Sequence, residues 1–406
     1  MDLRAITPDE VPAFVHSLAA EFHEDVHPDD LAVYAAVIEP DRSLAVFDGP
    51  GIVATSGVLT RELTVPGGLV PVAAVTMVGV LATHRRRGLL TRMMRRQLDD
   101  VRAAGEPVAA LWASEPVIYR RFGYGLAARH AEVRIRTAGF RLRPGAPEPE
   151  GRMTFLAPAD AVPRVAPLYD RVRRARPGHL DRPGRAWEHI VYDPEHEREG
   201  RSALRAAVHE APGGEVDGYV LYAVKHGDWA DGPDGEVHVR DLLADGPAAT
   251  SALWAFLLGL DLTRALRWEL APPDEPLHEL LEGPQLVRMT LGVNLWVRLV
   301  DVGAALAART YSRPVDVVLE IDDDACPWNA GRWRLAGDET GAACARTGAA
   351  PDLALSAGDL GAAYLGGSSL AALHAAGRVR ELRAGALAPT AAALRGAREP
   401  FCADDF

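Results

Sequence analysis

The feature that most limits what this chain can become is an apolar run at residues 69–81. It stops in Thr83, His84, Arg85, Arg86, Arg87 and Gly88 and then restarts as an amphipathic pattern. A Val-rich run without polar alternation predicts a strand buried on both faces. Beyond the turn, Leu89, Leu90, Met93, Met94, Leu98 and Val101 recur at helical spacing, with Arg92, Arg95 and Arg96 on the opposite face and Gly105 as a stop. The basic turn therefore sits where a strand hands over to a helix N-terminus. The first N–H groups of a helix lack intrahelical partners, and its dipole favours negative charge beside them. Gly88, without a Cβ, lets a ligand approach the main chain. Together these features predict a pyrophosphate-binding turn. A solvated basic turn is the plainer alternative.

The rest of the chain narrows the context. At 406 residues it exceeds one ordinary domain and predicts two or three. With 48% hydrophobic and 25% charged residues and no apolar run long enough to cross a bilayer, it reads as a globular protein without a membrane partner. The first ten residues lack the pattern of a secretory signal, so a cytoplasmic location is expected. Cys326, Cys344 and Cys402 are too dispersed for a metal pattern or a disulfide framework, and Pro28 follows too closely on His23 and His27 for a helical metal pair. No metal is expected. A net charge of −12 argues against nucleic acid and is compatible with a cationic substrate.

In chain order, Thr7, Pro8 and Glu10 have the spacing of a capping box opening a helix to Phe22, and a second helix is expected from Pro28 to Asp30 onward. Val-rich strands at 43–48, 51–64 and 69–81 form a meander; the basic turn, its helix and a strand at 108–113 follow. Next, Ser114 and Glu115 lead into Pro116, which opens a short helix that Gly123 closes and from which Tyr119 projects. Ordinary half-buried packing is the alternative for Tyr119. A Pro-rich linker at 143–151 separates a second alternation of helices and strands, including strands at 216–225 and 236–243 and a helix at 250–260. There Asp245, Gly246 and Pro247 stand where the first lobe has arginines. A third pattern begins near Val293 and ends in alanine-rich helices.

Arg85-x-x-Gly88 directly after a buried strand resembles the acyl-CoA-binding motif of the GNAT (GCN5-related) N-acetyltransferases, Arg/Gln-x-x-Gly-x-Gly/Ala. It departs from that motif at Leu90 and at Ala82, where many members carry proline. The string from Thr83 to Leu90 is closer to the Eis-like (enhanced intracellular survival) branch. The resemblance implies an α+β chain of two tandem GNAT-like lobes, the second degenerate, and a sterol-carrier-protein-like domain, divided as 1–145, 152–288 and 293–406. An unrelated α/β second lobe is the alternative.

The resemblance also implies acetyl-CoA as co-substrate, held by main-chain groups of Val78 and Val80 and by Arg85, Arg86, Gly88, Leu89 and Ser114. Tyr119 is then the general acid. The terminal carboxylate of Phe406 becomes the general base, working through water or by attraction, although termini ordinarily fray. Tyr34, Thr76 and Met77 line the amine pocket, with Asp405, Glu24 and Asp25, and secondarily Asp404, supplying negative charge. The implied reaction is direct acetyl transfer in a ternary complex to aminoglycosides or similar polycationic amines, in a homohexamer. The rivals are a protein lysine or N-terminal acetyltransferase and a non-catalytic acyl-CoA or lipid-binding protein.

Overall fold

The computed structural model describes residues 1–137, 141–227 and 232–406. It contains three sheets, distributed over two compact units.

The first unit comprises residues 1–128, 176–181 and 294–406. It opens with a strand not foreseen from the sequence, β1 (Asp2–Ala5), then α1 (Val11–Phe22) and α2 (Leu31–Val37). The main-chain N–H of Thr7 donates to Glu10 at 2.9 Å, as the capping-box spacing requires, after which a 3₁₀ turn leads into α1. The meander follows as β2 (Leu44–Asp48), β3 (Gly51–Val65) and β4 (Gly68–Val80). After the basic turn come α3 (Leu89–Ala103), β5 (Val108–Trp112), α4 (Pro116–Arg120) and the short β6 (Gly125–Leu126). One face of α3 buries Leu89, Met93, Met94, Leu98 and Val101 of the residues its periodicity selects, leaving Leu90 half-buried, and it also buries Gln97, whose amide donates to Ser56 at 2.8 Å.

Sheet membership does not follow chain order. The next strand, β7 (Arg129–Arg136), pairs in the second sheet with β12 (Thr263–Ala271) and β13 (Val287–Val293). The first sheet instead takes β14 (Leu295–Leu299) between β5 and β6. The divisions at 145 and 293 drawn from the sequence thus cut across the sheets, because an apolar strand looks the same whichever sheet it joins. The second sheet is completed by β8 (Arg152–Leu156), β9 (Arg205–Glu210), β10 (Val216–Lys225) and β11 (Gly235–Ala244), in the order β13-β7-β12-β11-β10-β9-β8. In the second unit, residues 129–175 and 182–293, the turn after β11 carries Asp245, paired with Arg171 at 3.1 Å, so a carboxylate occupies the place where a diphosphate site needs cations.

The C-terminal sheet has the order β17-β16-β15-β18-β19, with β15 at Val315–Asp322, β16 at Gly331–Asp338, β17 at Gly341–Arg346, β18 at Leu353–Ser356 and β19 at Val379–Glu381. It shares one core with the first sheet: Leu63, Val72, Val108, Val297, Val317, Leu319, Leu335 and Leu360 are buried together. On the other face of the first sheet, Val58, Val75, Met94, Leu98 and Leu111 enclose Tyr119 and Tyr124.

Candidate active site

The site is built where β4 parts from β5. Their parallel pairing runs from Val72 with Val108 to Val75 with Leu111 and stops. Burial stops at the same residue. Val72, Ala73, Ala74 and Val75 are buried, whereas Thr76, Met77, Val78, Gly79 and Val80 are all half-exposed. The sequence expectation of a strand buried on both faces therefore holds only for its middle; the equally apolar far end lies open, and apolarity alone does not reveal that. A register shift between Thr55 and Gly57 of β3 leaves Met77 and Val78 out of the main-chain pairing with β3 as well, although the Thr55 side chain donates to the Met77 carbonyl at 2.9 Å, and Met77 takes a left-handed φ of 56°. Beyond Val75, β4 therefore continues through Val78 and Val80 with no strand pairing on its β5 side among the described residues.

The basic turn follows this open end of β4. A 3₁₀ turn at Ala82–His84 leads to Arg85, Arg86 and Arg87, all exposed; Arg86 has φ 64° and Gly88, preceding α3, has φ 76°. Arg85 Nε donates to the Val80 carbonyl at 3.3 Å, tying the first arginine to the open strand. A Cβ built on Gly88 meets no atom within 4 Å, so the main chain there is open to a ligand. Leu89 turns inward, and its side chain packs on Val46, Val53 and Met93. Its candidate contribution is therefore its main-chain N–H.

Tyr119 occupies the last turn of α4 and is buried in the core to which Val78, Leu90 and Ala113 contribute. Its ring meets Tyr124 edge-on at 6.1 Å. No hydrogen bond to its hydroxyl is formed among the described residues. Burial, then the nearby Glu115 carboxylate, pushes its pKa up to about 12. Such a group stays protonated through the physiological range and so has a proton to give. Ser114 is exposed just beyond β5.

On the α1–α2 side, Met77, Val26, Leu31 and Ala35 each pack against one buried cluster that includes Phe14, Val15 and Phe47; Tyr34 on α2 and Thr76 on β4 are half-buried. Glu24 and Asp25 are exposed past the end of α1, which His23 closes at φ 63°.

The chain end is anchored rather than frayed. Asn294 holds the Cys402 main chain in both directions, at 3.0 and 2.9 Å, and Phe401 N–H donates to Pro177 at 2.9 Å. Trp112, at the tip of β5, donates its indole N–H to the Asp404 carbonyl at 2.8 Å. The Asp404 carboxylate pairs with buried Arg61 of β3 at 3.1 Å. Phe406 is half-buried against the same core as Trp112, and Asp405 is exposed.

Three participants in this arrangement have no role in the sequence reading. Glu21 is buried on α1 with its carboxyl against Gly79 of β4: a Cβ at Gly79 would lie 1.9 Å from Glu21 Oε2. Burial pushes its pKa up to about 7, against hydrogen bonds from Thr55 and Ser17 and the Arg85 charge. The signal was there, since Phe14, Ser17 and Glu21 share one helical face, but the acidic neighbours Glu24 and Asp25 masked it. The other two are Thr55, which joins Glu21 to Met77, and Arg61, a lone cation within the β3 apolar run.

Residues 2–127 and again 178–299 match the family described as Acetyltransferase (GNAT) domain, and residues 302–403 match Sterol carrier protein domain. The chain is 46% identical to an "Uncharacterized N-acetyltransferase" of Streptomyces avermitilis, covering 100% of this chain and 99% of the relative. It is 33% identical over 386 residues to the N-acetyltransferase Eis of Mycobacterium tuberculosis, covering 92% of each. The crystal structure of Eis1 from Mycobacterium abscessus superposes with a TM-score of 0.86 at 34% identity, covering 100% of both chains. No helix among the described residues is long and apolar enough to cross a membrane. GNAT acetyltransferases use acetyl-CoA, and with two such domains, a sterol carrier protein domain and a third of its residues identical to Eis across nearly the whole length, this enzyme belongs to the Eis-like branch of the GNAT N-acetyltransferases.

Proposed function

We propose that this enzyme transfers the acetyl group of acetyl-CoA directly to amines of aminoglycosides or similar polycationic small molecules within a ternary complex. The observation that carries the reading is the end of β4 left unpaired on its β5 side, where Val78 packs against the Tyr119 core and the Val80 carbonyl accepts from Arg85 of the basic turn. Arg85, Arg86 and the first N–H groups of α3 hold the diphosphate. Val78 and Val80 hold the pantetheine arm and polarise the acetyl carbonyl. The neutral amine attacks that carbonyl carbon, the C–S bond breaks, and Tyr119 protonates the leaving thiolate. The amine sits among Tyr34, Thr76 and Met77. The Phe406 carboxylate, with Asp405 and the exposed Glu24 and Asp25, attracts the cation and takes its proton through water. It works through water and by attraction because terminal carboxylates, with pKa values of about 3.5, are too weak as bases to deprotonate an ammonium directly. The working assembly is a homohexamer.

The test is release of free CoA over a panel of amines and peptides. Turnover with kanamycin-like amines and none with peptides is expected; the opposite pattern would mark a protein acetyltransferase. Tyr119→Phe should keep acetyl-CoA affinity and lower kcat by about tenfold or more, within the range of general-acid contributions. Unchanged kcat would remove Tyr119 from the chemistry. One residue added after Phe406 should raise KM for the amine; full activity in that variant excludes a role for the terminal carboxylate. Sedimentation should give a particle of six copies.

A further inference from the structure

Glu21 takes no part in the chemistry above, yet it touches the strand on which that chemistry depends. Its Oε2 lies 2.8 Å from Thr55 Oγ1, and the same Thr55 hydroxyl lies 2.9 Å from the carbonyl of Met77. Its Oε1 lies 3.4 Å from Ser17 Oγ, which also lies 3.1 Å from the Ile52 carbonyl. If Glu21 is ionised, it can only accept. Two hydroxyl hydrogens are then asked to serve both Glu21 oxygens and both carbonyls, and the Met77 carbonyl competes with a charged oxygen for the Thr55 proton. A protonated Glu21 resolves the competition. Its O–H donates to Thr55, Thr55 donates to Met77, and Ser17 is released to Ile52.

The surroundings favour that proton. Around Glu21, α1 contributes Ser17, β3 contributes Thr55 and Ile52, and β4 contributes only uncharged main chain at Met77 and Gly79. The helix packed on α1 is α2, which bears no charged side chain and a single titratable one, Tyr34. No ion pair to Glu21 forms among the described residues. Among the described residues, the cation whose charge reaches it is Arg85, in the turn proposed to hold the diphosphate.

We propose that Glu21 is a positioning residue whose proton, relayed through Thr55 to the Met77 carbonyl, holds the open segment of β4 in the form that grips acetyl-CoA, so that binding takes up a proton near neutral pH. Two effects act in the same direction. The relay is complete only in the protonated state, and a bound diphosphate neutralises Arg85, the cation that otherwise favours the Glu21 anion. The inference rests on the cofactor site proposed above.

The experiment is calorimetric titration of the full-length protein with acetyl-CoA, between about pH 6 and about pH 8.5, in buffers of different ionisation enthalpy. Proton uptake should peak near neutrality, and affinity should fall roughly fivefold across the range, the equivalent of about one neutral hydrogen bond. Glu21→Gln, whose amide can donate to Thr55 at every pH, should bind at the low-pH wild-type affinity with no uptake near neutrality. Thr55→Val should bind throughout at the weaker high-pH level. Binding without uptake in the wild type, or the same uptake in Glu21→Gln, overturns this inference and leaves the cofactor site standing. No binding at all overturns both.

Discussion

Gly79 and Glu21 occupy one volume. A methyl group on Gly79 would lie 1.9 Å from the Glu21 carboxyl and 2.8 Å from its carbon, so Gly79→Ala must push that carboxyl off Thr55 and Ser17 or shift the main chain. Pressing extra atoms into a packed region costs about 1–3 kcal/mol. Here the loss should appear as weaker acetyl-CoA binding as well as a lower Tm, and Gly79→Ala with unchanged binding would show that the Glu21 contact does not position the strand. The same carboxyl makes a separate statement about stability. Its folded pKa, about 7, lies above its unfolded value, so between the two the native state holds more protons than the unfolded one. Stability is therefore fully present below the unfolded value and falls as pH rises through 7. At about 1.4 kcal/mol per pKa unit, the loss is on the order of 3 kcal/mol. Glu21→Gln, which has no charge to bury, should be more stable than wild type above neutrality, and the difference should vanish toward about pH 4. Denaturant melts at several pH values measure it; parallel curves would mean that Glu21 does not carry the charge cost.

The C-terminal tail is the element whose behaviour differs most from what a chain end does by default. Its Asp404 pairs with Arg61, both side chains about 6% exposed, while Arg61 also bonds Asp181, Asn294 brackets Cys402, and Trp112 caps the Asp404 carbonyl. Removing one partner of a buried pair leaves the other charge uncompensated, typically at about 3–5 kcal/mol. In Arg61→Met that cost falls on the tail. Carboxypeptidase should release Phe406 from this variant much faster than from wild type, and equal rates would show that the other contacts suffice. How much of this element was legible in sequence is instructive. The terminal aromatic and its acidic neighbours could be noticed, but the anchors come from positions as distant as Arg61, Trp112 and Asn294, and no local periodicity links them. The basic turn and α3 were legible because their signals are local: apolar spacing, a glycine, a run of arginines. The splay of β4 was not, since Val75 and Val78 are equally apolar and only the end of the β5 register separates them. Nor was the short β1, whose pattern is too brief to register.

At the scale of the whole chain, the exchange of strands has the largest mechanical consequence. The first sheet cannot be completed from the first lobe's own sequence, because β14, at Leu295–Leu299, lies between β5 and β6. Each β14 residue is 2% exposed or less, and Arg298 pairs with Asp323 at 2.6 Å beneath Gly123. The junction is tight: a Cβ on Gly125 of β6 would lie 1.8 Å from the carbonyl of Gly358, in the helix Ala357–Tyr364. Burying Leu295, Trp296, Val297 and Leu299 contributes roughly 1.5–3 kcal/mol each, a sum comparable with the 5–15 kcal/mol that typically separates folded from unfolded. A chain ending at residue 293 should therefore not present a working cofactor site, for without β14 the sheet ends at β5 and exposes the apolar core that holds Tyr119. Co-expression of residues 294–406 as a separate chain should restore it, since what is missing is a strand and its packing, not a covalent link. If the chain ending at 293 bound acetyl-CoA as tightly as the whole, the C-terminal domain would be an appendage; on the pairing seen here, β14 is part of the first lobe's own sheet.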